Sequence, residues 1–469
     1  MGLRKYVREN HCSAIVQIAP CRVNGACRLL ATVGGSGVDN TQCTVYNEDH
    51  HNNMDLAMNF HNRPTQSTPG GVLRAVTWVR APPKQEHERD DLLLAIGGDD
   101  CIITIISVTH KRVMHQLVGH NGPVLALEGH PVLQGVLASM GEDHKVHLWL
   151  VPSHNAEGVG GAPRRLATLL LSGRTHAMTF LHDGRLLTAH SAGEGLLRLW
   201  QLPEFEGLAF FWPPRDAREL TLETLRAAEQ GAALEIYWPE DATWYDATLT
   251  VARPETNEWD IRYPKDGVEE TLRLSDPELP PVRPRGCAAA VSNPAQGDAL
   301  LPEELTMAEH SRGVCAAADA RGAQVASMTT IGSHSVATMR ANGQLEVWTL
   351  PADGMDRGAI RISGTRVPGY NTEERFVACK IGASECGSFV AVGNGVGDTY
   401  VYAVDVPGMP KQVGHALANK RARCPVVAAT ITGRGTRVLS ASGKGFIWRY
   451  EPDPGESKKI TRGAWAGQL

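Results

Sequence analysis

The stretch from Gly119 to Trp149 constrains the fold of this chain more tightly than any other part of it. Gly119-His120 stands just before PVLALEGHP, and GVLASMGEDHKVHLWLV then sets Ser139 in one apolar run, Asp143 on a turn and Trp149 near the end of the next run. Apolar runs cut by Gly/Asp turns read as short antiparallel strands. His120, Ser139, Asp143 and Trp149 carry the donors and acceptors for one buried chain, in which Asp accepts from His, His bonds Ser and Ser reaches the indole N–H. Such a network pins neighbouring sheets and drives no reaction. It predicts one blade of a β-propeller, held by a structural tetrad.

The rhythm recurs with weaker markers. An apolar strand, a turn, an LLA-like strand, a polar turn and a strand ending in an aromatic appear at 14–46, 72–108, 123–151, 176–202, 325–350, 376–405 and 426–450. Seven short-stranded sheets close a ring with little exposed edge, so the expected fold is all-β, a seven-bladed β-propeller of WD-repeat type. A β-sandwich, or two unrelated β domains, is the competing architecture, and the spacing fits a repeat better. None of the blades ends in Trp-Asp: Trp149 is followed by Leu, Trp200 by Gln, Trp348 by Thr and Trp448 by Arg. That departs from the Trp-Asp-x-Arg pattern common in cullin-type ubiquitin-ligase receptors.

Composition narrows the choice of partners. The net charge is -5 and basic residues are scattered, with KRAR at 420–423 the densest run. No global field favours nucleic acid, and direct sequence-specific DNA binding is not expected. No apolar stretch approaches bilayer length, MGLRKYVREN has no signal-peptide core, and Tyr6 stands where a myristoylation motif wants Ser or Thr, so no membrane is expected. Ten cysteines are spread singly without a Cys-x-x-Cys pair, which suggests neither zinc site nor disulfide framework but a reducing compartment, cytosol or nucleus. P-loop, His-Glu-x-x-His, Gly-x-Ser-x-Gly and EF-hand patterns are absent, and the glycines of GNGVGDT at 393–399 read as a turn between strands. Catalytic residues, metal ligands and cofactors are therefore all assigned as none.

Between Leu202 and about Ala323 the repeat stops. The expected organisation is blades one to four over 1–203, a helical connector over 204–232, a small barrel over 233–275, a linker over 276–322, blades five to seven over 323–452 and a C-terminal tail over 453–469. PRDARELTLETLRAAEQ at 214–230 offers Leu220, Leu222, Leu225 and Ala228 as a helical apolar face. In 233–275, alternating strands broken by PED, PETNE and PKDG turns predict an SH3-like barrel of about five short strands. EIYWPEDATWYDATL and DIRYPKDG resemble the Tudor family almost end to end over this segment. The resemblance implies a methyl-lysine cage of Trp238, Tyr245 and Tyr263, with a fourth, non-aromatic position at Glu269 and an acidic contact from Asp266. Cation–π contact is worth roughly 0.5–2 kcal/mol. Trp244 and Trp259 read as barrel core on the opposite strand face. The competing reading has all these rings packing the barrel.

Over most of the propeller, from about Val7 to Pro452, the chain resembles the EED/ESC family, the propeller subunits of Polycomb repressive complex 2. The carrying segments are GHNGPVLALEGHP…GVLASMGEDHKVHLWLV at 119–151, ATVGGSG…CTVY near 31–46, FVAVGNGVGDTYVYAVDV at 389–406 and SASGKGFIWRYEP at 440–452. The resemblance implies a non-catalytic nuclear scaffold and histone-mark reader in a histone methyltransferase complex that supports transcriptional repression. Its implied partners are a SET-domain catalytic subunit, other Polycomb repressive complex subunits and histone tail peptides. The family's own aromatic cage would fall near Ala14–Ile15, at Leu73 and at Val377–Ala378, none of them aromatic. Methyl-lysine recognition is then expected in the inserted barrel. The alternative is a generic WD-repeat adaptor in ubiquitin-ligase, RNA-processing or ribosome-assembly machinery; an enzyme built on the central funnel ranks last.

Overall fold

The computed structural model describes residues 2–22, 28–48, 54–80, 92–152, 162–200, 230–273, 282–284, 305–307, 324–350, 360–370, 379–404, 410–418 and 424–451, with Leu202, Leu225 and Ala228, apart from gaps at 67, 172–174, 183, 191–195, 239–242, 254, 266, 333 and 433–435. The chain divides into two compact units. The larger holds Met1–His130, Gln134–Leu202 and Glu303–Leu469, the smaller Pro131–Leu133 and Pro203–Pro302.

Among the described residues the larger unit contains seven sheets, each built on an antiparallel meander in chain order, with an added strand from elsewhere in blades three and seven. Blade one runs Ile15–Pro20, Leu29–Gly35, Thr41–Glu48, Met54–His61, and blade two Leu73–Arg80, Leu92–Gly98, Ile102–Ser107, Arg112–Val118. Blade three is Val124–Gly129, Val136–Gly141, Lys145–Leu150 and Arg164–Leu170, and blade four Thr175–Phe180, Leu186–His190 and Leu196–Trp200. Blade five is Val325–Thr330, Ser335–Arg340, Gln344–Thr349 and Ile360–Arg366. Blade six is built on Gly382–Ala383, Phe389–Gly393 and Asp398–Ala403, blade seven on Val426–Thr432, Arg437–Ser442 and Phe446–Glu451.

The first strand of each sheet packs against the first strands of both neighbours, and blade one meets blade seven as well as blade two. The sheets therefore form a closed ring, and the larger unit is a seven-bladed β-propeller. Apolar clusters fill the spaces between blades. Val33 and Cys43 of blade one meet Val76 and Leu94 of blade two, and Leu127, Leu137 and Trp149 of blade three meet Ala75 and Leu93. A fully buried valine or leucine among them is worth about 1.5–3 kcal/mol. Gly129, in the EGHP turn, lets blade three come close: a Cβ there would collide with the Trp78 carbonyl oxygen of blade two.

Two features depart from the sequence expectation. Outermost strands such as Met54–His61 and Arg112–Val118 have no counterpart in the repeat read from sequence. Their mixed burial, with Leu56 and Val118 exposed, breaks up the continuous apolar run that marks inner strands such as Leu92–Gly98 and Val136–Gly141. The ring is also closed by the N-terminal segment. Gly2–Arg8 pairs antiparallel with Phe446–Glu451, completing blade seven, although its composition is basic and unremarkable as a strand.

The smaller unit has one five-stranded antiparallel sheet, ordered Glu269–Arg273, Glu258–Arg262, Thr243–Arg253, Ala233–Trp238, Val282–Pro284. The first strand in sequence is thus flanked by the second and by the last. Leu234, Ile236, Leu249, Trp259, Ile261 and Leu272 form its core, with Leu225 buried among them. The 276–322 segment, expected as linker, supplies two short strands. Val282–Pro284 pairs with Ala233–Trp238, with Val282 fully buried, and Leu305–Met307, in the larger unit, adds a parallel strand to Arg164–Leu170 of blade three. Three residues flanked by prolines leave no strand signal, and Pro284 is tolerated at a sheet edge. Apart from Leu225, Ala228 and Gln230–Ala232, the 204–232 connector lies outside the described residues, as does the 453–469 tail.

Removing residues 2–8 should unpair the Phe446–Glu451 edge. The expected outcome is a lower melting temperature together with concentration-dependent self-association, read by thermal denaturation and light scattering. An unchanged melt would mean the pairing contributes little.

Candidate functional site

The structure brings His120, Ser139, Asp143 and Trp149 into one hydrogen-bonded chain. The Trp149 indole N–H donates to Ser139 Oγ at 2.8 Å, and Ser139 Oγ lies 2.8 Å from His120 Nε2. His120 Nδ1 lies 3.0 and 3.1 Å from the two Asp143 oxygens, and the Asn121 N–H donates to Asp143 Oδ2 at 3.0 Å. The Asp143 carboxylate can only accept, so His120 carries a hydrogen on Nδ1, and in the neutral ring Nε2 accepts the Ser139 hydroxyl proton. Local backbone makes the approach possible. His144, next to Asp143, sits at φ 59° in the left-handed region. A Cβ at Gly141 would stand 2.5 Å from Asp143 Oδ1. Burial pushes the Asp143 carboxyl up, but its hydrogen bonds and charge contact with His120 outweigh this and hold it down to about 2.

Sequence reading missed related sets in other blades. In blade one the buried Glu9 carboxylate accepts from Thr32 Oγ1 at 2.6 Å, Tyr46 OH at 3.0 Å and His11 Nε2 at 2.7 Å. His11 precedes the inner strand as His120 does, and Thr32 and Tyr46 stand on the second and third strands like Ser139 and Trp149. That parallel was the available signal, but the acid arrives from before the blade. Trp200 and Trp348 donate to Thr188 and Thr338 at 2.8 and 3.0 Å in blades four and five. In blade two Asn62 takes the histidine's place and donates to Asp100 at 2.9 Å.

His147 packs beside the tetrad, its ring centroid 4.4 Å from that of His120, with Thr168 Oγ1 2.9 Å from its Nδ1. Ligand atoms of His120, Asp143 and His147 lie within 4.8 Å of one another. His120 already engages Asp143 and Ser139 through both nitrogens, so this triad is spoken for as a metal site. Burial, with His120 and Arg165 nearby, pulls His147 down to about 4, and burial pulls His130, whose ring packs at a tilt against Phe180, to about 3.

In the smaller unit, strand alternation sorts the aromatic residues. Trp259, Ile261 and Tyr263 are all buried and share the inward face, so Trp259 does not lie on the opposite face from Tyr263. Trp259 is core, at 1% exposed. Tyr245 is half-buried, pairs across from Ile236 and packs against the same core. Tyr263, at 9% exposed, donates its hydroxyl to Glu270 Oε2 at 3.1 Å. Glu269, expected as a cage position, is exposed and pairs opposite Arg262. Trp238 ends the first strand, opposite Thr243, while Asp266 lies outside the described residues.

A closed ring of seven sheets with a His–Ser–Asp–Trp tetrad defines a WD-repeat β-propeller. No family model matches the chain. It is 27% identical over 121 residues to the Polycomb protein EED of Chaetomium thermophilum, covering 25% of this chain and 20% of that protein. It is 26% identical over 151 residues to the Polycomb protein esc of Drosophila melanogaster, covering 32% of each. The matches thus span about a fifth and a third of those relatives' own lengths. A chain in a crystal structure of the mitotic checkpoint complex is similar at TM-score 0.49 and 10% identity, over 96% of this chain and 95% of that one. Within the WD-repeat class, the two sequence matches support a protein of EED/ESC type.

Asp143→Ala should strand the His120 and Asn121 donors and cost about 1–3 kcal/mol. The expected result is a lower melting temperature with every binding activity weakened alike; a normal melt with one partner lost would make the tetrad a binding site. A second expectation concerns acid. Below pH 6.5 the unfolded chain protonates His130 and His147, whereas the folded chain does so only near 3 and 4. The unfolded state then binds more protons, so stability falls as pH drops from about 6.5 towards 4. His147→Asn should flatten that slope in melts taken between pH 7 and 5.

Proposed function

We propose that this chain is a non-catalytic scaffold subunit of a Polycomb-type histone lysine methyltransferase complex, acting in the nucleus in transcriptional repression. The carrying observation is the pair of matches to Polycomb proteins EED and esc on a chain whose larger unit is a seven-bladed ring. Its partners on this reading are a SET-domain catalytic subunit, other subunits of the complex and histone tail peptides. The propeller holds an extended or helical segment of the catalytic subunit along its surface. The tetrad has a structural role, tying the turns of blade three to its second and third strands.

The smaller unit, on the same reading, is an SH3-like, Tudor-like barrel that reads methyl-lysine through Trp238, Tyr245 and Tyr263, with Asp266 as a further acidic contact. Its strand order supports this, with the last strand returning to pair beside the first. So does the position of Tyr245, half-buried at the margin of the barrel core. In the propeller, Leu73 is aliphatic and buried where the family cage would want a ring face, and Val377–Ala378 lie outside the described residues.

Gentle affinity purification followed by identification of stable partners tests the assignment. A SET-domain protein should co-purify, and the isolated chain should show no methyl transfer to histone peptides while stimulating that partner. Co-purification of a cullin adaptor or an RNA-processing set, without a SET-domain protein, would overturn it.

A further inference from the structure

Because first strands pack on first strands around the ring, they form the wall of its central channel. Among their described residues they carry one acid, Glu128, against Arg74 and Arg80. Two further cations cross the channel. Lys380, just ahead of the Gly382–Ala383 strand of blade six, is anchored by its backbone to blade seven: its N–H donates to the Val427 carbonyl and its carbonyl accepts from the Ala429 N–H, both at 2.9 Å. Its ammonium lies 3.1 Å from Gln17 Oε1 of blade one and 3.2 Å from the Arg74 carbonyl oxygen of blade two. Blades six and two stand almost opposite in a ring of seven, so the side chain spans the channel. Arg22, just past the first strand of blade one, reaches the other way and donates from Nη2 to the Ala383 carbonyl of blade six. Glu128 of blade three is the acid both cations act on: burial pushes its carboxyl up to about 7, against the pull of Lys380 and then of Arg22. Burial draws Lys380 down to about 8, with Glu128 resisting.

Arg74 is ion-paired with Asp99, which leaves Lys380, Arg22 and an ionised Glu128 as a cluster with one net positive charge. All three are half-buried, so none is sealed from solvent. Gln17 and the Arg74 carbonyl take two of the three ammonium N–H groups, and no acceptor for the third is found among the described residues. We infer that Lys380 and Arg22 make the central channel a binding site for a single carboxylate, carried by a small carboxylic acid or by an acidic side chain of a peptide. The charge count selects the class: one carboxylate neutralises the cluster, whereas a phosphate dianion overfills it beside Glu128. The third Lys380 N–H supplies a charge-assisted hydrogen bond, stronger in this water-poor channel than on an open surface. The site lies apart from both the tetrad and the barrel, and does not depend on what the barrel reads.

The test is calorimetric titration of the full chain at constant ionic strength, for wild type, Lys380→Gln and Glu128→Gln, each checked for folding by its melt. The ligands are acetate, inorganic phosphate and a short capped peptide with one central glutamate or, as control, glutamine. Wild type should bind acetate and the glutamate peptide and ignore the glutamine peptide. Lys380→Gln should weaken that binding roughly tenfold or more. Glu128→Gln, which removes a like charge and no described hydrogen bond, should tighten it several-fold, and this variant decides the matter if Lys380→Gln fails to fold. A glutamate peptide that binds tighter than acetate would identify a protein ligand and the reverse a small acid; both sustain the site. Preference for phosphate, absence of carboxylate binding, or binding unchanged in Glu128→Gln or in a folded Lys380→Gln would overturn the inference.

Discussion

Apolar side chains trapped between neighbouring sheets hold the ring, because a single four-stranded sheet has two faces to cover and no core of its own. Each blade solves the problem by lending a face to the next. Trp149 shows the economy of the arrangement. Its ring is packed among blade-two residues such as Ala75 and Leu93, while its indole N–H turns back to Ser139 in its own blade. Polar and apolar parts of one side chain therefore serve different neighbours. The hydrogen-bonded chain through His120 then fixes the turn carrying Asp143 relative to the loop that opens the blade.

That division explains which parts of the fold were legible. The blade-three residues stand out because their chemistry demands particular side chains at short range, and the inner strands read as near-continuous apolar runs because both their faces are covered. Outermost strands such as Arg112–Val118 bury little and carry no such pattern. Gly2–Arg8 is a strand for reasons that lie almost the whole chain away, at Phe446–Glu451. Val282–Pro284 likewise owes its conformation to the open edge of Ala233–Trp238. Tertiary pairing decided these segments, and local composition did not hint at it.

The aromatic residues of the barrel illustrate a subtler limit. Tyr245, Trp259 and Tyr263 are similar as letters, and the structure separates them by burial and by face. Choosing between Glu269 and Glu270 depends on a one-residue register, which flips a side chain from one face of a strand to the other. Adjacent glutamates in EETLR are therefore indistinguishable until the pairing with Ile261 and Arg262 is known.

Closure by two segments far apart in sequence bears on how the molecule folds. Glu9 follows directly on the closing strand, its N–H bonds the Gly445 carbonyl, and its carboxylate collects Thr32, Tyr46 and His11. During synthesis Glu9 and these donors emerge early, but the Gly2–Arg8 strand beside Glu9 has no sheet partner until Phe446–Glu451 has been translated. The pairing that completes blade seven therefore waits until both segments are present. A pairing so distant in sequence is entropically slow to form, and in the interval an unpaired edge is open to the wrong partner. The ring that resists aggregation once shut is, by the same topology, most exposed to it just before it shuts.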